Sequence, residues 1–267
     1  MILAPLLLVT ALQSPGGALD DFLAAARRGT ARYRTPDSAR AAGYRPVGPD
    51  FPGMGRHWVN PSLILRDTLD AAAPPVLEYA EVRGQLTLVG VAYAILVRDG
   101  GRPPEEPAPA ENWHFHQGTV AEESFLRSHA GLHEHSAGGG AKIAVLHAWV
   151  WLDNPDGVLA TDNWALPYAR VGLDLPSTPS RSAARALALG ADEGGRLYME
   201  ALLHAVGRPN DEEMAALAAV VKRHHAMARA QASNAAGGAL EACWRALWDD
   251  VRTAVRPEVW GRLAGTR

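Results

Sequence analysis

Histidines are the residues of this sequence whose type and spacing could do chemistry: there are ten, and seven of them fall between His57 and His147. His114 and His116 stand two residues apart in the segment Trp-His-Phe-His. On an extended strand, residues i and i+2 point to the same face of the sheet, so these two imidazoles would lie side by side. Two neutral imidazoles on one face can share a cation. The spacing therefore predicts a metal site.

His147 lies in a different setting, an apolar run that continues through two tryptophans. Period-two alternation places its ring on the face shared by Val145, Trp149 and Trp151. Burying an imidazole unpaired on so apolar a face would cost about 1–3 kcal/mol. We therefore expect His147 either to form a hydrogen bond or to coordinate an ion.

His57 follows two glycines, Gly53 and Gly55, which allow the backbone to turn sharply. A turn of this kind could position the imidazole of His57 as an additional ligand in a site that contains other histidines. The sequence thus predicts one mononuclear site with ligands drawn from His57, His114, His116 and His147. We expect copper or zinc rather than iron, because imidazole is a good ligand for both. For each histidine alone, the alternative is a core residue satisfied by a hydrogen bond.

The remaining histidines form weaker patterns. His133 and His135 repeat the two-residue spacing in a glycine-rich segment, where they are either further metal ligands or part of a solvated loop. His204, His224 and His225 fall on predicted helices, where a surface or last-turn position is favoured.

Other catalytic patterns are missing from the sequence. It contains no Gly-x-Ser-x-Gly, no Cys/His pairing and no His-Glu-x-x-His, so serine hydrolases and zincins find no support. Carboxylates such as Glu78 and Glu81 could act as a general base, but none is singled out. The single cysteine, Cys243, excludes a thiolate cluster and sits in an apolar helical pattern typical of a buried, inert thiol. The tryptophans near the histidines are expected to be core residues.

The elements that must position the histidines are strands. Residues 76–82 and 86–97 are β-rich runs joined by Arg83-Gly84-Gln85, which predicts a hairpin whose apolar second strand is central. Further strands are predicted at 112–120 and 142–152. Between residues 19 and 43, one or two short helices broken at 35–37 are expected.

Beyond Pro176 the chain becomes alanine-rich with helical periodicity. Helices are predicted at 183–189, 195–206, 211–232 and 240–255. The sequence therefore predicts an α+β fold: a β-centred part with a mainly antiparallel sheet over residues 14–175, and a helical C-terminal part over residues 176–267.

The net charge and the first residues of the sequence indicate which partners and which cellular location to expect. With a formal charge of −3, the sequence shows no basic stripe for a phosphate backbone, so nucleic acid is not the expected partner. Residues 1–12 form one apolar run, too short to span a bilayer but as long as the apolar region of a signal peptide. Residues 1–13 are therefore expected to be a signal peptide of a secreted or periplasmic protein. A buried N-terminal strand or helix is the alternative.

The order of several short motifs resembles a family of uncharacterised bacterial secreted proteins. The family has a Met-Gly-x-His-(aromatic)-x-Asn segment, matched here by Met54 to Asn60, and a His-x-Trp-x-Trp segment with Asn-Pro-x-Gly, matched by residues 147–157. The resemblance covers roughly residues 30–165. It implies export and implies that His57 and His147 belong to one site, but it brings no established activity.

Two departures from that family pattern bear on the ligands. Arg56 replaces the usual aromatic residue, and Ala92 stands where the family strand often has an acidic residue. If that carboxylate is a ligand in the family, His114 or His116 are the expected substitutes here.

Three functional hypotheses remain open at this level. The first is an exported metalloprotein with a mononuclear His-rich site that does redox or hydrolytic chemistry on a small molecule. The second is a non-catalytic metal carrier or sensor. The third is a metal-free binding or structural module, which would be favoured if the four principal histidines lay more than about 8 Å apart, beyond the reach of one ion.

Overall fold

A six-stranded antiparallel sheet forms the centre of the N-terminal half. The computed structural model describes residues 15–97, 101–116, 142–176, 180–191, 195–206, 209–232 and 237–263. Its strands are β1 (Arg45–Phe51), β2 (Gly55–Val59), β3 (Val76–Val82), β4 (Gln85–Val97), β5 (Trp113–His116) and β6 (Lys142–Ala148), and they lie in the sheet in the order β1-β2-β3-β4-β6-β5. The predicted α+β class is confirmed.

The hairpin of β3 and β4 confirms the prediction made from its glycine turn. Arg83 and Gly84 both have positive φ, at 52° and 75°, as in the two-residue turns whose twist matches that of paired strands. β4 pairs with β3 on one side and β6 on the other, so it is a central strand as predicted.

The last strand is shorter than predicted. β6 ends at Ala148 instead of continuing to residue 152, because the backbone N–H of Trp149 donates to the carbonyl of Val158 at 2.8 Å. The Trp149 indole donates to the carbonyl of Ala160 at 2.6 Å, which fixes the chain on the same loop. Of the strand expected at 112–120, residues 113–116 form β5, and residues 117–141 lie outside the described part.

Helices at the start of the described chain cover one face of the sheet. They are α1 (Pro15–Thr30), a 3-10 turn (Ala31–Tyr33) and α2 (Pro36–Ala41). Two helices are present as expected, but α2 already begins at Pro36, inside the predicted break at 35–37, because proline is favoured at the first position of a helix. The ring of Phe22 in α1 lies 4.8 Å from that of Tyr93 in β4, and the Tyr79 hydroxyl donates to the carbonyl of Tyr33. This face carries the larger apolar core of the sheet.

The opposite face of the sheet combines a smaller apolar cluster with three polar residues. Its apolar members are Val59, Ile64, Val76, Ala92, Ala94 and Val145. Strand alternation places His57, Glu78 and His147 on this face, because their neighbours Trp58, Leu77 and Leu146 belong to the core on the other side.

The helical part follows the sheet and has its own core. Its helices are α4 (Leu166–Val171), α5 (Arg181–Ala191), α6 (Arg196–Val206), α7 (Asp211–Ala232), α8 (Gly237–Ala254) and α9 (Pro257–Leu263); α3 (Pro61–Ile64) is a single turn after β2. At the start of α7, Asn210 accepts a hydrogen bond from the Glu213 backbone while Glu213 accepts one from that of Asn210. This reciprocal capping stabilises the N-terminus that the acidic residues predicted.

The histidines of α7 correct one expectation. His224 and His225 are buried, with 2% and 8% of their surface exposed, and lie well before the last turn. His224 contacts Asp250 at 2.7 Å and His225 contacts the carbonyl of Leu189 at 2.9 Å, so polar partners on α8 and α5 make burial tolerable. The backbone of His204 lies in the last turn of α6.

Cys243 is buried and unpaired with another cysteine, and burial raises the pKa of its thiol, as expected for an inert thiol. Among the helices of the described ranges, none has both the length and the apolar character needed to cross a bilayer.

Candidate metal centre

Two glycines shape the turn that delivers His57. Gly55 adopts a φ of +84°, and a Cβ there would overlap the backbone carbonyl of Tyr79. Gly53 packs against the indole of Trp164, and its carbonyl accepts the backbone N–H of Asn163 at 2.7 Å. Gly55 is therefore required by both its φ and the backbone beside it, whereas a Cβ at Gly53 would press on the Trp164 ring at 3.0 Å.

The register of the sheet brings three side chains from three strands together. His57 in β2 pairs directly with Glu78 in β3, and Glu78 pairs with Gly90 in β4. β4 thus separates Glu78 from His147 in β6. Because Gly90 has no side chain, the Glu78 carboxylate extends across β4 and reaches His147.

Contacts within this His–Glu–His cluster (His57, Glu78 and His147) are close. One carboxylate oxygen, Oε1 of Glu78, is hydrogen-bonded to Nδ1 of His147 and lies 3.7 Å from Nε2 of His57. The two imidazole centroids are 5.8 Å apart. Each residue offers a ligand atom within 4.8 Å of the others, so one ion could contact all three.

The cluster is almost fully shielded from water. Glu78 and His147 have 0% of their side-chain surface exposed, and His57 has 12%. Burial by itself raises the pKa of the Glu78 carboxyl, but attraction to His147 and hydrogen bonds to His147 and His57 outweigh it. The net pKa of Glu78 lies below its usual value, so the carboxylate is ionised, which is the form that binds metals.

His114 lies against the cluster from the edge strand. It pairs with Val145 in β5–β6, and its ring stacks on that of His147 with a centroid distance of 5.0 Å and an angle of 19°. The residues whose ligand atoms lie within 4.8 Å of one another are His57, Glu78 and His147, so His114 is a neighbour of the cluster and not a member of it.

The structure describes only part of the environment of the other predicted ligands. The backbone of His116 lies in β5 opposite Ile143, while its side chain is outside the described part. His133 and His135 fall in residues 117–141, also outside it. Their assignment as ligands stays a prediction.

Glu78 is the site residue that sequence reasoning missed. An acidic residue between Leu77 and Tyr79 in an apolar strand needs a buried partner, and that was the available indication. Glu78 supplies a carboxylate to the cluster, and the expectation that His114 or His116 replaces a family carboxylate at Ala92 stays a prediction.

Trp149 and a second carboxyl group, that of Asp162, lie near the His–Glu–His cluster. Trp149 lies beside Gly90, where an added Cβ would be 3.2 Å from its ring. Burial raises the pKa of the Asp162 carboxyl, against the opposing charges of Arg185 and His147. Trp58, Trp113, Trp149 and Trp164 are buried, as expected of core residues.

Comparison with known proteins adds no identification: no family model matches the sequence, and no curated protein or solved structure is significantly similar to it. The resemblance in motif order to secreted bacterial proteins therefore stays a prediction.

Proposed function

We propose that this chain is an exported metalloprotein with a mononuclear site whose ligands are His57, Glu78 and His147. The observation that carries the proposal is a fully buried carboxyl group held between two imidazoles on a largely apolar sheet face, with a lowered pKa that indicates a charge. Burying such a charge is costly unless it is paired or binds a metal.

Unused polar atoms favour a metal over a hydrogen-bonded core. His147 contacts Glu78 through Nδ1, and its Nε2 is buried without a hydrogen-bond partner among the described residues. Within the same residues, Oε2 of Glu78 is buried without a partner as well. Each unsatisfied buried atom costs about 1–3 kcal/mol, a cost that a bound cation and its ligands would remove.

The donor set favours zinc or copper(II) as the ion. Imidazole nitrogen suits both, and a carboxylate oxygen favours divalent ions over copper(I), which prefers sulfur. Two histidines with one carboxylate is also a ligand set of non-haem iron, so iron belongs in any elemental analysis.

The number of ligands separates an enzyme from a carrier. With three ligands, the ion keeps an open position and can act as a Lewis acid or a redox centre on a small molecule. If His114 is a fourth ligand, the site is closed and storage, transport or sensing of the metal becomes the better assignment. His114 stacks on His147 beside the cluster but is not among the three residues whose ligand atoms lie close together, so a closed site would require its ring to turn towards the ion.

The test is elemental analysis of protein purified without an affinity tag. We expect about one zinc or copper per chain, and its loss in His57→Ala, His147→Ala and Glu78→Gln. His225→Ala is the matched control, because it removes a buried histidine of the helical part and should leave the metal in place. A wild-type protein that holds no stoichiometric metal, and takes up none of zinc, copper or iron on reconstitution, would overturn the proposal.

Export is proposed from the apolar run at residues 1–12. Fractionation of the producing cell and N-terminal sequencing of the mature chain test it. Recovery in the cytoplasm with residue 1 retained would contradict it.

A further inference from the structure

A surface groove of about 550 Å³ lies on the other side of the sheet from the His–Glu–His cluster, beside the N-terminal helices. Two guanidinium groups line it, that of Arg32 from the 3-10 turn and that of Arg66 from the turn that follows α3. Its lining residues include no aspartate or glutamate. The groove is therefore a concave surface with positive charge and no built-in counterion.

Most arginines around the groove are engaged by the protein itself. Arg40 pairs with Asp37 at 2.7 Å, and Arg45 donates to the carbonyls of Arg40 and Tyr44. Arg56 donates to the carbonyl of Gly48.

Arg32 and Arg66 differ from these neighbours. Arg32 lies over the ring of Tyr33 at 4.7 Å. The ion pairs found among the described residues involve other arginines than Arg32 and Arg66. The nearest acids in sequence have other partners, since Asp67 accepts the backbone N–H of Leu96 and Asp70 that of Ala72. Both guanidinium groups are thus available to an external anion.

The remaining surface of the groove is apolar or already satisfied. Ala41, Ala42 and Leu63 form part of its wall. The Tyr44 hydroxyl donates to the carbonyl of Pro74, and the Asn60 amide bridges Ala42 and Ser62. Ligand pockets commonly have this character: an apolar wall with a few polar groups that fix orientation.

We propose that this groove binds a small organic anion, a carboxylate or a phosphate monoester, whose charged group lies between Arg32 and Arg66. Arginine favours both groups because its planar fork can donate two parallel hydrogen bonds to them. The apolar part of the ligand then lies along Ala41, Ala42 and Leu63. This binding site is independent of the metal centre.

Backbone amide NMR during titration tests the proposal with three probes: phenyl phosphate, benzoate and inorganic phosphate. We expect saturable shifts at residues 41–43 with phenyl phosphate or benzoate, and the stronger of the two identifies the class of anion. Inorganic phosphate should bind more weakly because it lacks an apolar part. Equal affinity for phenyl and inorganic phosphate would overturn the assignment of an organic ligand.

Charge-matched variants localise the binding. Arg32→Gln combined with Arg66→Gln should weaken the best probe at least about tenfold, or 1.4 kcal/mol. Arg28→Gln removes an exposed guanidinium that does not line the groove and should leave affinity unchanged. If no probe gives saturable shifts, or if Arg28→Gln weakens binding as much as the loss of Arg32 or Arg66 alone, the groove is not an anion site.

Discussion

Glu78 is the residue on which the chemistry of the candidate site depends. Two imidazoles on a sheet face can hydrogen-bond to many partners, but a buried carboxylate adds a negative charge that must be compensated. It also holds Nδ1 of His147, which fixes the orientation of that ring. In the proposed site Glu78 is therefore both a direct ligand and a positioning residue.

Replacement of Glu78 by glutamine separates the effect of the side chain's charge from the effect of its size. Glu78→Gln keeps the size of the side chain but loses the ionised oxygen, and we expect metal affinity to fall by about 10- to 100-fold or more. Competition with a chromophoric chelator measures the change. Unchanged affinity would show that Glu78 is not part of the metal site.

For His114, metal stoichiometry and affinity distinguish the two kinds of site. If the site is the open one proposed for an enzyme, His114→Ala should retain one metal per chain with affinity within about tenfold of wild type. His147→Ala is the comparison, and it should lose the metal. Loss of the metal in both variants would establish His114 as a ligand and favour the carrier or sensor.

At the scale of elements, the strand between Glu78 and His147 is as important as the residues themselves. β4 carries a bulge where Glu78 pairs with Gly90 and Tyr79 with Leu88. The bulge and the missing side chain at Gly90 open a path for the carboxylate across a central strand.

Gly90→Ala tests this arrangement of β4. The added Cβ would overlap the carboxylate of Glu78 and approach the ring of Trp149 at 3.2 Å. We expect a loss of about 1–3 kcal/mol in the free energy of unfolding, together with reduced metal binding. Gly238→Ala in α8, where an added Cβ meets no atom of the described structure within 4 Å, should lower neither. Normal metal affinity in Gly90→Ala would contradict the proposed path.

In the helical part, one ion pair predicts a dependence of stability on pH. The Glu213 carboxylate binds Arg256 at 2.7 Å, and hydrogen bonds from Arg256 lower the pKa of Glu213 to about 2. Since this pKa is below its value in the unfolded chain, the stabilisation is complete above about pH 4.5 and is lost as the pH falls towards 2.

Glu213→Gln should therefore lower the urea midpoint of the helical signal at pH 7 and reduce its fall between about pH 5 and 2. Glu241→Gln, a change at an acid whose side chain is not part of this pair, is the control. If the urea midpoint of Glu213→Gln falls as steeply at acid pH as that of wild type, this pair is excluded as a source of the pH dependence.

At the scale of the whole molecule, the proposed metal site predicts that metal binding is coupled to folding. The proposed ligands come from β2, β3 and β6, so the site exists only when the sheet is formed. A ligand that binds only the folded state stabilises it by about 2.7 kcal/mol at a free concentration 100 times Kd.

We expect excess zinc to raise Tm by about 5–10 °C and EDTA to reverse the shift. The zinc-dependent shift should be absent in His147→Ala and present in His225→Ala. Differential scanning calorimetry measures it. A Tm that is the same with zinc and with EDTA would contradict the coupling of metal binding to folding.

Local patterns in the sequence determined much of this fold. The glycine turn at residues 83–84, the apolar run of β4 and the alanine-rich helices beyond residue 180 each follow from the conformations that their residues favour. Strand alternation indicated that His147 lies on an apolar face, where its ring needs a polar partner. The glycines before β2 singled out His57. These predictions needed only neighbours in the chain.

Only the tertiary structure decided which residues meet. Glu78 lies 21 positions from His57 and 69 from His147, and their contact depends on strand order, on the bulge in β4 and on the absence of a side chain at Gly90. The burial of His224 likewise depends on Asp250 in a neighbouring helix. Pairings of this kind are set by register and packing between distant segments, which no local pattern encodes.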